Sequence, residues 1–229
     1  MSPLPDPAAL AALRMAGVDD DLAVRLAVYA ALVLDANRRL NLTGAKDGAA
    51  FAVHILDALT LREDVESPLV DVGSGNGVPG IPLALATGAR VTLLEPIKKR
   101  AAFLRQALAT LAIDGDVVAA RAEDAGRDPE RREHYRTATA RAVASAPAVA
   151  ELTVPFIAVG GRALLQRGGL EAKERNAVAD AALVLGAELV EERAVGGDRR
   201  ILVLRKTTAT GPRFPRKNGV PAKRPLCLG

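Results

Sequence analysis

The feature that most constrains the fold is a short apolar run that ends in a glycine-rich loop. Residues 69–72 have the length and composition of a buried strand, and glycines follow at positions 73, 75 and 77. Pro79 and Pro82 suit the first turn of a helix, where the missing N–H groups are not required. Glycines at such a turn let the backbone bend sharply and approach a ligand closely, because no Cβ intervenes. The pattern predicts a strand, a ligand-binding loop and a helix in succession.

Short apolar runs and helix-like stretches alternate along the rest of the chain. Further strands are predicted at 90–94, 116–120, 137–143, 161–166, 187–190 and 201–204, with helices at 98–111 and 171–185. Strands that alternate with helices pair in parallel through crossover connections, which predicts an α/β fold with a doubly wound, mostly parallel sheet. The first 65 or so residues show helical periodicity instead, with Asp19 as a candidate N-cap, and they predict an N-terminal helical extension.

The positive charge of the chain is concentrated at its C-terminal end. From Arg205 onward there are seven basic residues and no acidic one, and prolines stand at 212, 215, 221 and 225. Such a stretch is not expected to form a helix or a central strand, and it predicts an extended phosphate-binding arm or a solvated, disordered end. We therefore expect one compact domain with a helical cap at 1–66, a core at 67–206 and a basic, Pro-rich arm at 207–229.

Composition excludes several classes of protein. The chain of 229 residues has one Cys and two His, so neither a disulfide framework nor a zinc module is expected. No stretch reaches the roughly 18–20 apolar residues of a membrane helix, and the N-terminus does not resemble a secretory signal. Six aromatic residues are too few for a base-stacking platform. These observations predict a cytoplasmic protein, and the lack of heptads favours a monomer.

The acid before the glycines discriminates between two cofactors. Gly75, Gly77 and Gly80 also satisfy the G-x-G-x-x-G spacing of dinucleotide-binding proteins, which leaves a NAD-dependent oxidoreductase as an alternative. Asp71 would repel an anionic pyrophosphate, whereas it would attract the cationic amino and sulfonium groups of S-adenosylmethionine. The sequence therefore favours S-adenosylmethionine, held by Asp71 and the glycine loop at its methionine end.

Two further acidic positions suit the rest of that cofactor. Glu95 follows the second strand, 24 positions after Asp71, where a carboxylate can accept hydrogen bonds from both ribose hydroxyls. Ala122 and Glu123 follow the third strand, where an adenine-binding loop is expected, although an ordinary surface turn would also explain them.

Basic residues indicate anion binding. Lys98, Lys99 and Arg100 open a predicted helix, where positive charge opposes the helix dipole, so an RNA phosphate or the cofactor carboxylate is expected there, although a solvated run of charges would also explain them. Arg141, at the end of the fourth strand, could bind cofactor or substrate, or form a salt bridge.

S-adenosylmethionine donates a methyl group, and the residues after the fourth strand limit which kind of atom can accept it. They include no acid, amide or aromatic residue of the kind used to methylate exocyclic amines, and Cys227, in the tail, is poorly placed to attack a pyrimidine. No Lys base with acidic partners is evident. A guanine N7 has a free lone pair and needs no deprotonation, so we assign no catalytic residue.

Several of these stretches together resemble one family. They are Asn41-Leu42-Thr43, His54 to Leu59, Asp71 to Leu83, Lys99-Arg100, Phe103-Leu104, Arg121 to Glu123, Ala140 to Ala142 and Pro215 to Pro221. The chain is similar to the RsmG (GidB, glucose-inhibited division protein B) family over nearly its whole length. That resemblance implies a class I methyltransferase fold and S-adenosylmethionine-dependent methylation of a guanine N7 in the decoding-region loop of 16S ribosomal RNA.

The resemblance also assigns residues. It implies cofactor contacts at Gly73, Val78, Glu95, Pro96, Ile97, Ala122, Glu123 and Arg141. Glu95 stands where many members have Asp, and Val78 where Leu or Phe is frequent, which would change the pocket size slightly. We expect phosphates of 16S ribosomal RNA, or of the small subunit or its precursor, to contact Lys98, Lys99, Arg100, Arg141, Arg213, Arg216, Lys217, Lys223 and Arg224. A different methyl acceptor, or a non-enzymatic ribosome-assembly factor that binds RNA, remains an alternative.

Overall fold

The computed structural model describes residues 3–141 and 144–226. Within these residues the α-helices are α1 (Pro7–Met15), α2 (Asp20–Leu40), α3 (Gly48–Leu59), α4 (Gly80–Thr87), α5 (Lys98–Thr110), α6 (Ala122–Ala125), α7 (Ala146–Thr153), α8 (Ala172–Val184) and α9 (Val220–Lys223). The strands are β1 (Leu69–Val72), β2 (Val91–Leu94), β3 (Gly115–Val118), β4 (Tyr135–Arg141), β5 (Ile157–Arg167), β6 (Ala187–Ala194) and β7 (Arg200–Lys206). None of the described helices is long and apolar enough to cross a membrane.

The strands form one seven-stranded sheet in the order β3-β2-β1-β4-β5-β7-β6. Strand β2 pairs in parallel with β3, and β4 pairs in parallel with both β1 and β5. The predicted α/β class with a mostly parallel sheet is confirmed. The antiparallel part of the sheet lies at its last strands, because β7 is antiparallel to both β5 and β6. Only residues 195–199 join β6 to β7, which is too short for a crossover.

The described residues divide into two compact units. The first unit comprises residues 3–65 and 74–119, and the second comprises residues 66–73, 120–141 and 144–226. The first unit therefore contains α1 to α5 with β2 and β3, and the second contains β1 and all the elements from α6 onward.

The first unit confirms the predicted N-terminal helices. Asp19 caps α2, as expected, and its side chain accepts hydrogen bonds from the N–H groups of Asp21 and Leu22. The apolar face of α2 is buried, and its Tyr29 packs edge-on against Phe51 of α3 with 5.7 Å between the ring centroids. Helix α5 begins at Lys98, as predicted, with no acidic residue in its first turn.

The second unit corrects strand bounds and one expectation about the C-terminal stretch. Strand β4 begins at Tyr135 rather than Thr137, and the predicted strand residues Ala142 and Val143 lie outside the described residues, as does Cys227. The expectation that the C-terminal stretch forms no helix is wrong, because α9 makes a short helical turn there. Pro221 is tolerated because it lies in the first turn of α9, where a proline removes no intrahelical hydrogen bond.

Candidate cofactor-binding site

The predicted glycine loop has the backbone conformation that requires glycine. Gly73, Gly75 and Gly77 all have positive φ, at 74°, 57° and 102°. Gly77 is constrained by space as well, since a Cβ there would lie 2.6 Å from Cδ1 of Ile81 and 3.1 Å from the hydroxyl of Tyr29. The loop therefore packs its backbone closely against side chains of the first unit at Gly77.

Glu95 braces the loop within the first unit. This residue follows β2 and is 3% exposed. Its Oε2 accepts a hydrogen bond from the N–H of Gly75 at 3.0 Å, and its Oε1 accepts one from the N–H of Ile97 at 2.8 Å. The N–H of Ser74 also donates to the carbonyl of Leu94 at 3.0 Å. The structure thus brings together three residues predicted to bind cofactor, and each carboxylate oxygen retains a second lone pair for a hydroxyl donor.

Tyr29 and Asn76, which the sequence did not assign to the site, connect the glycine loop to the helical extension. The hydroxyl of Tyr29 donates to the carbonyl of Asn76 at 2.8 Å, and the side-chain amide of Asn76 donates to the carbonyl of Leu42 at 3.2 Å. The carbonyl oxygen of the Asn76 side chain accepts from the N–H of Val78, which closes an Asx turn. In the sequence, Tyr29 falls at a helical spacing with apolar residues, which indicates only a buried helix face. Its hydroxyl was the one signal of a role beyond packing, because a buried tyrosine hydroxyl normally has a hydrogen-bond partner.

The Asn41-Leu42-Thr43 stretch is itself braced by an asparagine that the sequence did not single out. The side-chain oxygen of Asn37 accepts from the N–H groups of Leu42 and Thr43 at 2.6 and 2.9 Å, and its amide donates to the carbonyl of Thr43. Asn41 ends α2 with a left-handed φ of 53°, a conformation that asparagine tolerates. The Asn41-Leu42-Thr43 stretch, one of the motifs that resemble the family, therefore supports the glycine loop through the carbonyl of Leu42.

Asp71 is a buried carboxylate on β1 in the second unit. Asp71 is 1% exposed, and its Oδ1 accepts a hydrogen bond from the hydroxyl of Thr139, the residue opposite it on β4, at 3.2 Å. Arg141 is the last residue of β4 and lies opposite Gln166 of β5. The hydrogen bond from Thr139 helps to fix the orientation of the Asp71 carboxylate.

The predicted adenine-side residues begin a short helix in the second unit. Ala122 is the first residue of α6, and Glu123 follows it with 7% of its surface exposed. The Oε1 atom of Glu123 accepts from the N–H of Gly219 at 2.8 Å, and Asp124 accepts from the side-chain amide of Asn218 at 3.0 Å. No pattern in the sequence indicated that this turn and the C-terminal segment are in contact.

The C-terminal cations have two different environments. Arg213, Lys217, Lys223 and Arg224 are exposed, as a phosphate-binding role requires. Arg216 instead pairs with Glu151 of α7, whose side chain is fully buried. The guanidinium of Arg216 thus has an internal partner, and its predicted contact with RNA stays a prediction.

One cation near the start of this segment is also internal. The ammonium of Lys206 lies 3.0 Å from the carboxylate of Glu133, and it donates to the carbonyl of Val154 and the hydroxyl of Thr210. Burial lowers the pKa of Lys206 from its ordinary value, and the hydrogen bond and charge of Glu133 act in the opposite direction. Lys206 therefore has a structural role.

The first unit exposes Lys98 and Lys99 at the start of α5, and its Arg100 is half-buried. Across residues 3–141 and 144–226, no group of three His, Cys, Asp or Glu side chains could hold a metal ion.

Solved structures with a similar fold include a methyltransferase and a protein in complex with S-adenosylmethionine. The mitomycin 7-O-methyltransferase MmcR superposes with a TM-score of 0.54 at 15% identity, over 70% of this chain and 56% of that one. A point mutant of MtNAS in complex with S-adenosylmethionine gives a TM-score of 0.54 at 14% identity, over 90% of this chain and 85% of that one. The chain thus has the Rossmann-like fold of class I methyltransferases.

Sequence comparison identifies the family to which the chain belongs. The family described as "GidB: rRNA small subunit methyltransferase G" matches residues 23–203. The ribosomal RNA small subunit methyltransferase G of Rubrobacter xylanophilus is 42% identical over 211 residues, which cover 86% of this chain and 81% of the relative. The protein of the same name from Pelotomaculum thermopropionicum is 40% identical over 210 residues, covering 86% of this chain and 88% of the relative. The chain belongs to the GidB family, as its sequence motifs indicated.

Proposed function

We propose that this protein transfers a methyl group from S-adenosylmethionine to the N7 atom of a guanine in 16S ribosomal RNA. The observation that carries the proposal is membership of the GidB family over residues 23–203, which include the braced glycine loop. S-adenosylmethionine supplies an electrophilic methyl group on a sulfonium, and an in-line displacement requires mainly alignment and exclusion of water from the protein.

The first unit would hold part of the cofactor through its glycine loop and Glu95. Gly75 and Gly77 adopt a positive φ that favours glycine, and because glycine has no Cβ, a ligand can approach the loop backbone closely. Glu95 is fixed by two N–H donors, so its remaining lone pairs are directed without further ordering, which suits binding of two ribose hydroxyls. Val78, Pro96 and Ile97 adjoin these residues along the chain and are proposed as apolar contacts.

The second unit would contribute charged residues. The buried Asp71 fits the cationic methionine end, and Gly73, with a φ of 74°, begins the loop directly after β1. Ala122 and Glu123 are proposed for the adenine side, because a backbone N–H and a carboxylate can read the edge of adenine. Arg141 is proposed to bind either the cofactor carboxylate or the guanine.

The choice of N7 follows from the chemistry of the acceptor. The lone pair of guanine N7 attacks the methyl carbon directly, so no general base is needed and none is assigned. The guanine must be unstacked before its N7 can reach the methyl group, at a cost of about a few kcal/mol. Asp71 and Glu95 are both fixed by hydrogen bonds and are proposed to bind the cofactor rather than to move a proton.

We further propose that RNA phosphates bind Lys98, Lys99 and Arg100 in the first unit and the exposed cations Arg213, Lys217, Lys223 and Arg224 in the second. Arg216 remains a proposed contact, because its side chain is still partly exposed while it pairs with Glu151. Because the substrate is the small ribosomal subunit or its RNA, the reaction would take place in the cytoplasm, and a monomer suffices for it.

The test supplies the purified protein with S-adenosylmethionine labelled in its methyl group, together with small subunits from cells that lack the protein. We expect label in 16S ribosomal RNA at one guanine, located by borohydride and aniline cleavage, which is selective for N7-methylguanine. Label on another atom or molecule would support a different acceptor. Tight RNA binding without label would support an assembly factor, and preferential binding of NADH in a parallel titration would favour an oxidoreductase.

A further inference from the structure

The C-terminal segment of the second unit is docked onto the protein along its length. We call residues 210–224 the C-terminal strap. Arg132 donates hydrogen bonds to the carbonyls of Thr210, Gly211 and Phe214 at 2.6, 3.2 and 2.7 Å, and Phe214 is 3% exposed. The strap is therefore packed structure rather than an arm in solvent.

An ion pair anchors the middle of the strap to α7. The Nε and Nη2 atoms of Arg216 donate to the two carboxylate oxygens of Glu151 at 2.9 and 2.6 Å, and the N–H of Arg216 donates to Oε1 at 2.7 Å. Nη2 of Arg216 also donates to the carbonyl of Arg224 at 2.7 Å, which joins two parts of the strap. Since Glu151 is fully buried, this anchor is strongly maintained in the folded protein.

Three residues further on, the strap contacts the turn that we propose for the adenine side. Gly219 donates its N–H to Oε1 of Glu123, and Asn218 donates its side-chain amide to Asp124, the next residue of α6. Helix α6 has only four residues and no side-chain N-cap, so little within it fixes the orientation of these two acids. The strap supplies both of these contacts.

We propose that Asn218 and Gly219 are positioning residues that orient Glu123 for the cofactor, so that RNA bound to the strap strengthens cofactor binding. The inference rests on the proposed role of Glu123. The hydrogen bond from Gly219 occupies one oxygen of Glu123 and fixes the plane of the carboxylate, which leaves the second oxygen directed for a ligand donor.

The exposed charges of the strap connect these contacts to RNA. Lys217 precedes Asn218 and Gly219, and Lys223 and Arg224 follow them; all three cations are exposed. Phosphates bound to these cations would favour the contacts of Asn218 and Gly219 with α6 over conformations in which these contacts are broken while Arg216 stays anchored, and hence the oriented form of Glu123. By linkage, a cofactor that prefers the oriented form must strengthen RNA binding by the same factor.

The experiment measures the dissociation constant of S-adenosylmethionine by calorimetry, without RNA, for Asn218→Ala and Asn218→Asp. Loss of one hydrogen bond should weaken binding by about threefold to tenfold in Asn218→Ala. Asn218→Asp should be weaker still, because two carboxylates would then face each other. In methylation assays the KM for S-adenosylmethionine should rise while kcat at saturating cofactor is unchanged, a split that general destabilisation would not produce.

The exchange variant Asn218→Asp with Asp124→Asn restores an amide donor and a carboxylate acceptor with their positions reversed. Its dissociation constant should return to within about twofold of the wild-type value. Glu188→Ala, which alters an exposed residue of β6 in the same unit, serves as the control and should leave binding unchanged. If Asn218→Ala and Asn218→Asp stay folded and bind cofactor like the wild type, the positioning role is wrong, even though the proposed methylation would still stand.

The coupling is tested by repeating the wild-type titration with saturating small subunits. We expect cofactor binding to be at least about threefold tighter, and expect that gain to be lost in Asn218→Ala. An equal constant with and without subunits would overturn the coupling. Absence of any cofactor binding by the wild-type protein would instead overturn the proposed function itself.

Discussion

Glu151 and Arg216 form a bidentate ion pair in which the carboxylate is fully buried and the guanidinium is about a quarter exposed, at 27%. The pair joins α7 to the C-terminal strap across 65 positions of sequence. A carboxylate with no access to water depends on its partner, because an isolated buried charge is strongly unfavourable.

We expect Arg216→Ala to lower the free energy of unfolding by about 3–5 kcal/mol, since it leaves Glu151 buried and unpaired. For a chain of this size each 1 kcal/mol corresponds to roughly 2–4 °C in Tm. Replacing both partners, with Glu151→Leu and Arg216→Met, should recover much of the loss, because no charge is then left buried. A Tm for Arg216→Ala within 1 °C or so of the wild type would contradict this assignment. Truncation of the strap would also remove Arg216 and leave Glu151 unpaired. Point variants of the exposed cations therefore test the RNA contacts of the strap without this loss of stability.

Glu95→Ala should raise the dissociation constant of S-adenosylmethionine at least tenfold, or about 1.4 kcal/mol, as measured by calorimetry. The change removes both the proposed ribose acceptor and the brace on Gly75 and Ile97. Glu63→Ala is the matched control, because that glutamate belongs to the same unit and its side chain is 82% exposed. Unchanged binding by folded Glu95→Ala protein would exclude the proposed role.

Gly77→Ala should be more destabilising than Gly88→Ala, which provides a matched comparison within the first unit. Both glycines have positive φ, so both substitutions carry backbone strain of about 1–3 kcal/mol. Only at position 77 would the added Cβ meet another atom, at 2.6 Å from Ile81, whereas nothing lies within 4 Å at position 88. Chemical denaturation measures the difference, and equal losses for the two variants would show that the loop can relax around the methyl group.

Glu66 should make the stability of the protein depend on pH in the acid range. A hydrogen bond from Arg136, together with the charge of Arg162, lowers the pKa of Glu66 below its ordinary value of 4.5, despite partial burial. Because the folded-state pKa is the lower one, this stabilisation is complete above about pH 5 and is lost as pH falls through the folded pKa. The stability difference between wild type and Glu66→Gln should therefore shrink on acidification, as measured by urea denaturation between pH 3 and 7. A difference that stays constant over this range would contradict the assignment.

The exposed cations of the strap should determine part of the salt dependence of RNA binding. Neutralising Lys217, Lys223 and Arg224 together, each by substitution with Gln, should reduce the slope of log affinity against log salt by about 2 to 3. Lys173→Gln, at an exposed position of α8, should leave the slope nearly unchanged. Equal slopes for the triple variant and the wild type, with small subunits or 16S ribosomal RNA, would remove these residues from the interface.

Local patterns in the sequence were sufficient for the elements of the fold. The apolar run at 69–72 with its following glycines predicted β1 and the turn, and Asp19 predicted the start of α2, because strand burial, glycine conformation and helix capping all depend on neighbouring residues. The antiparallel pairing of β7 was missed. Its direction depends on which strand accepts it in the sheet, and an apolar run has the same appearance in either orientation.

By itself, the sequence determined the α/β class, the glycine loop with its buried acids and the membership of the GidB family. Only the tertiary structure decided how those residues are supported: Glu95 on Gly75, Tyr29 on Asn76, and the strap on Glu123 and Glu151. The physical reason is that a hydrogen bond or ion pair between distant positions leaves no periodic trace in the chain. A basic, proline-rich stretch has the same composition whether its arginine binds a phosphate or a buried glutamate, and only the folded protein distinguishes the two.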